Sequence, residues 1–90
     1  MITWPELAAA EPRLAELEEA VRLEAATAET DPMWSFSRYW SYTLRPAIRP
    51  LVGWERDTGA RPELHTEAAW HAAISHLIGL LPAGEGLLAS

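Results

Sequence analysis

Apolar residues recur at helical spacing along most of the chain, and proline marks where the spacing restarts. Leu14, Leu17, Val21, Ala25 and Ala28 follow i, i+3, i+7, i+11 and i+14, one stripe on a 3.6-residue period. Met33, Phe36, Trp40 and Leu44 form a second such face. Trp70, Ala73, Ile74, Leu77, Ile78 and Leu81 form a third, broader one. No stretch alternates with a period of two in β-branched residues, so no strand is predicted. The pattern predicts an all-α, single-domain bundle over residues 1–90. It has three main helices, a short N-terminal helix and a short Pro-bounded helical turn.

Local signals place the boundaries. Thr3 and Glu6 have the spacing of a capping box, and Pro5 falls in the first turn, where its missing N–H is harmless. Pro12 interrupts the pattern, so the reading is a short helix near residues 4–10 and a longer one from about Pro12 to Glu29. The two pieces echo each other at Pro5-Glu6-Leu7-Ala8 and Pro12-Arg13-Leu14-Ala15; two copies do not make a repeat architecture. Glu18 and Arg22 form an i,i+4 pair on the exposed side. Asp31-Pro32 reads as N-cap and first helical position of a helix running to about Leu44. Arg45-Pro46 is expected to end or kink it, because the residue before proline avoids the helical region. Residues 46–53 read as a helical turn or two, with Gly53 as C-cap. Asp57-Thr58-Gly59-Ala60 reads as a loop. Pro62 opens the last helix, to about Leu81, and residues 83–90 form a short tail.

Ninety residues support one small core, and a chain of this size buries only about 60–65% of the surface it exposes when unfolded. That keeps self-association open. The absence of cysteine excludes disulfides, thiolate zinc sites and cysteine nucleophiles. Lys, Asn and Gln are also absent, against 16 Ala, 12 Leu and 7 Arg; a GC-rich genome accounts for this most simply. The N-terminal residues lack the basic and apolar regions of a signal peptide. The longest uncharged run, Ala68 to Gly84, contains Pro82 and falls short of a membrane span. The expected location is the cytoplasm.

A net charge of -6 argues against a generally basic nucleic-acid binder, but the charge is segregated. Residues 1–31 carry eight acids against two Arg, residues 32–61 five Arg against two acids, and residues 62–90 three acids and no base. The simplest reading packs the acidic first part beside the basic middle.

No catalytic motif is present. Ser35, Ser37 and Ser41 sit without a nucleophile elbow, and the glycines match no phosphate-binding loop. Glu16, Glu18, Glu19 and Glu24 read as a solvated helix face. His65, His71 and His76 are assigned to the last helix. His65 and His76 point the same way, but eleven residues at 1.5 Å rise separate them by about 16 Å, too far for one ion. Glu67 and His71 at i,i+4 read as a local ion pair rather than two ligands of a metal. No metal, cofactor or catalytic residue is assigned.

The stretch from Trp34 to Trp54 is the most unusual, combining Trp34, Phe36, Tyr39, Trp40, Tyr42 and Trp54 with Arg38, Arg45 and Arg49. Trp34, Arg38, Tyr42 and Arg45 fall off the apolar face at i, i+4, i+8 and i+11. Trp, Tyr and Arg dominate interface hot spots, and they also suit base stacking and phosphate contact. The alternative is intramolecular: the aromatics pack on the first helix and the arginines pair with its glutamates. A second surface is the row Ala68, Ala72, Ser75 and Gly79, small residues that admit a close helix and read as internal packing or a homodimer seam.

Taken together, Glu11-Pro12-Arg13-Leu14, Trp40-Ser41-Tyr42, Leu44-Arg45-Pro46, Leu51-Val52-Gly53-Trp54, the segment 64–73 and Leu81-Pro82 resemble a family of small uncharacterised bacterial and phage proteins. The resemblance implies a compact fold and a mobile-element setting, and it brings no activity. Members carry cysteines near the end, which this chain lacks, so no metal or redox role carries over.

The sequence therefore leads to a non-catalytic helical protein that acts by binding a protein partner or its own copy, through Trp34, Arg38, Tyr42 and Arg45. The alternative is a nucleic-acid-associated accessory protein using residues 34–56. No membrane association is expected.

Overall fold

A computed structural model describes residues 2–54 and 61–82. Helix α1 spans Trp4–Ala10 and α2 spans Arg13–Thr30. Pro5 sits in the first turn of α1, as expected. The Thr3 hydroxyl makes no capping hydrogen bond; only its carbonyl engages, accepting the Leu7 N–H at 3.0 Å. The break between the helices falls at Glu11, whose backbone is extended. Its carboxylate accepts from Arg13 Nε and Nη2 at 2.8 and 3.0 Å. That hydrogen bond holds the Glu11 carboxyl below the ordinary range. The predicted stripe of α2 faces inward, with Leu14 and Val21 fully buried and Leu17, Ala25 and Ala28 half-buried.

The next helix starts later than Asp31-Pro32 indicated. The Asp31 N–H still bonds the Thr27 carbonyl at 3.0 Å, so Asp31 closes α2. Its carboxylate then accepts the Met33 N–H at 2.9 Å, the local turn that aspartate side chains favour. Ser35 is the N-cap of α3, Phe36–Tyr39, its Oγ accepting the Arg38 N–H at 3.3 Å. Met33 thus lies before the helix and is 82% exposed, not part of a core face.

Arg45-Pro46 does not end this helix. A π turn over Trp40–Leu44 leads straight into α4, Arg45–Ile48, and the Arg45 N–H bonds the Trp40 carbonyl five residues back. In an ordinary α-helix a proline ring collides with the carbonyl four residues earlier. The wider π turn opens that space, and Arg45 keeps helical angles of φ -58° and ψ -46°.

Leu51 and Val52 then enter the core. Gly53 adopts φ +140°, a conformation open to glycine, and donates to the Leu64 carbonyl at 3.0 Å. The expected loop at residues 57–60 and the expected tail at 83–90 lie outside the described residues.

Pro62 opens a 3₁₀ turn, Pro62–Leu64, rather than the last helix. Helix α5, Glu67–Ile78, begins after Thr66, whose Oγ1 accepts the Ala69 N–H at 3.0 Å. It ends at Gly79, short of Leu81, which stays buried through the turn that follows. Helix α1 packs on both α2 and α5. The core joins Leu7, Leu14, Val21, Leu44, Ile48, Val52, Leu64, Leu77 and Ile78, all essentially without exposure. Trp70 closes one side at 8% exposure. Among the described residues the fold is all-α, with no strand, and no helix is long and apolar enough to cross a membrane.

Candidate functional site

The turn between α2 and α3 builds an open hollow of about 440 Å³. Three of the four residues assigned to a binding patch line it: Trp34, Arg38 and Tyr42. They come from different settings. Trp34 follows the turn at Asp31 and precedes the Ser35 cap, Arg38 is in α3, and Tyr42 is in the π turn. Trp34 is half-buried and fixed, because its indole Nε1–H donates to Glu24 Oε2 at 2.7 Å. Its ring meets Phe36 at 6.4 Å and Tyr39 at 6.3 Å between centroids. The intramolecular packing of this tryptophan on α2 is therefore real, and it runs through Glu24. Glu24 belongs to the hollow and not to a purely solvated face.

Arg38 is exposed, and no carboxylate among the described residues is within ion-pair distance of it. Tyr42 is 80% exposed and Met33, on the same lining, 82%. Two large exposed side chains thus share a lining with a guanidinium that has no ion-pair partner among the described residues. Tyr39 forms a deeper wall; burial, and then the Glu24 charge, push its phenol above the ordinary range.

Arg45, the fourth expected residue, is placed elsewhere. Its guanidinium sits 5.8 Å from the centre of the Trp70 ring on α5. Trp70 also meets Trp40 at 6.4 Å and Trp54 at 5.8 Å, and Trp54 stacks on His71 at 6.3 Å. The π turn thus separates Arg45 from Arg38 and Tyr42, whose alignment assumed an unbroken α-helix.

The histidines separate as well. His65 is not on the last helix but precedes it, with Nδ1 at 3.3 Å from the Gly53 carbonyl. His71 and Glu67 pair at 3.4 Å as expected. His76 engages Glu18, 58 residues away, and stacks on Trp4 at 4.3 Å with ring planes 10° apart. Glu18 also holds Arg22 at 3.7 Å, so this glutamate too is structural rather than simply solvated. Among the described residues no three acidic or histidine side chains are grouped to hold a metal. In the small-residue row, Ala68, Ser75 and Gly79 are exposed and Ala72 is half-buried.

Sequence spacing missed Glu24, Asp31 and Met33 as members of the hollow. Only the adjacency of Asp31 and Met33 to Trp34 hinted at them; nothing linked Glu24 to Trp34. Comparison with protein-family models, curated proteins and solved structures finds no match to this chain.

Proposed function

We propose that this protein is a non-catalytic binding module that docks a protein partner through the hollow between α2 and α3. Trp34, Arg38 and Tyr42 carry the contact. The supporting observation is the combination on one lining of Met33 and Tyr42, each at least 80% exposed, with an Arg38 that has no ion-pair partner among the described residues. Aromatic anchors bury area at low entropy cost, and arginine adds a planar donor set; these are the features of hot spots. The well-fixed Trp34 gives the surface a rigid floor, which lowers the ordering cost of binding. Arg45 drops out of the contact set because Trp70 holds it.

The test is co-purification of a tagged chain from its source cells, with nuclease present. Arg38→Glu combined with Tyr42→Ala should leave the helical signal and melting temperature nearly unchanged and abolish partner recovery. Arg45→Glu should recover the partner normally. If the Arg38/Tyr42 variant retains the partner and Ala68→Arg loses it, the working surface is the small-residue row and self-association replaces this reading. If recovery depends on nucleic acid, nuclease removes it, and phosphate contacts give a steep loss with salt.

A further inference from the structure

The hollow carries two carboxylates, Glu24 and Asp31, against the single guanidinium of Arg38. Its walls are aromatic. Trp34 and Tyr39 stand 6.3 Å apart between centroids with their planes inclined at 41°, so they form a corner rather than a closed stack. Phe36 backs Trp34 edge-on. The Glu24 carboxylate is held in place by the indole N–H through one oxygen, and Asp31 is held by the Met33 N–H through one oxygen. Each carboxylate therefore presents a fixed negative charge, and each has a second oxygen with no hydrogen bond among the described residues. Residues 1–31, which include all of α1 and α2, carry eight acids and two Arg, whereas residues 32–61, which supply Arg38, carry five Arg and two acids, so both carboxylates lie on the acidic side of the hollow.

From this juxtaposition we propose that the hollow takes an arginine side chain of the partner, its guanidinium lying against Trp34 and Tyr39 and pairing with Glu24 and Asp31. This rests on the reading of the hollow as a docking surface and names what it recognises. A guanidinium is weakly hydrated, stacks on aromatic faces and pairs side-on with carboxylates, which suits a partly aromatic, partly anionic corner. An ammonium gives up more hydration and cannot stack as a plane. Preformed hydrogen bonds to both carboxylates mean that the charges need no reorganisation when the cation arrives. Arg38 then lies beside the bound guanidinium and makes its own contact with a different group of the partner, one that an isolated arginine side chain lacks.

The test uses the full chain and a blocked Gly-Arg-Gly tripeptide, with blocked Gly-Leu-Gly and Gly-Glu-Gly as controls. Binding is followed at the Trp34 indole N–H by NMR, the resonance being assigned through Trp34→Phe. The arginine peptide should shift this resonance saturably, and added salt should weaken the effect. Glu24→Gln retains an oxygen to accept the indole N–H, and Asp31→Asn retains one for the Met33 N–H, so both keep the local fold and remove only charge. Each should weaken binding several-fold, and Arg38→Gln should strengthen it. The inference is overturned if the arginine peptide shifts nothing, or shifts the resonance equally in Glu24→Gln and Asp31→Asn. It is also overturned if only the glutamate peptide binds and Arg38→Gln abolishes that binding. This last result leaves the docking surface standing with the opposite specificity, while loss of the docking surface itself is read separately from the Arg38/Tyr42 co-purification.

Discussion

Replacing Trp70 by alanine removes the most buried of the five tryptophans. Trp70 is 8% exposed. It meets Trp40 and Trp54 within 6.4 Å, carries the Arg45 guanidinium at 5.8 Å, and stands where a Cβ on Gly53 would touch its ring at 3.4 Å. Its loss leaves a cavity bounded by backbone on one side and by bulky rings on the other, which limits collapse. The cost should be about 3–5 kcal/mol. A domain of ninety residues has about 4–14 kcal/mol in total, so this one change removes a large share and lowers the melting temperature by well over ~10 °C. Trp40 gives the internal comparison. It is only half-buried, so Trp40→Ala should cost about 1–3 kcal/mol. Urea titrations followed by far-ultraviolet circular dichroism measure both. A Trp70→Ala loss below about 1 kcal/mol, or a larger loss for Trp40→Ala than for Trp70→Ala, would refute this reasoning.

Three further outcomes follow from particular contacts. Gly53→Ala forces a side chain into φ +140° and should destabilise by about 1–3 kcal/mol in the same urea assay. Tyr39 should ionise above the usual tyrosine value because burial and then Glu24 disfavour the phenolate; alkaline absorbance titration should lose its late phase in Tyr39→Phe. Because the folded value is raised, that contribution to stability is complete below about pH 10 and is lost as pH rises through the folded value. Trp4→Ala removes the stack on His76, so hydrogen exchange at the Leu7 amide should accelerate while the Val21 amide keeps its protection.

What could be read from the chain follows the range of the forces involved. The boundaries of α1 and α2 were legible because Pro5, Pro12 and a clean 3.6-residue stripe act locally. The start of α3 was misread because three capping residues, Asp31, Thr30 and Ser35, crowd into six positions, and backbone bonding decides among them. Asp31 already serves α2, so Ser35 takes the role. The π turn was hidden because Pro46 signals a stop, and only the adjacent geometry shows that a wider turn can absorb it. That single extra residue in the turn also explains why Arg45 left the expected patch while Arg38 and Tyr42 stayed on it; Trp34 lies before the helix and is placed by the Asp31 turn. Pro62 masked Thr66 as the true cap of α5. The pairs Glu24–Trp34 and Glu18–His76 depend on tertiary packing, and no spacing rule relates their members.

The most direct test of the hollow as the working surface is photo-crosslinking in cells from benzoylphenylalanine placed at Tyr42, compared with the same group at Ser75. The proposed function predicts one discrete adduct from position 42, lost on Arg38→Glu, and none from position 75. An adduct from position 75 alone, or an adduct from position 42 that survives Arg38→Glu unchanged, would contradict it.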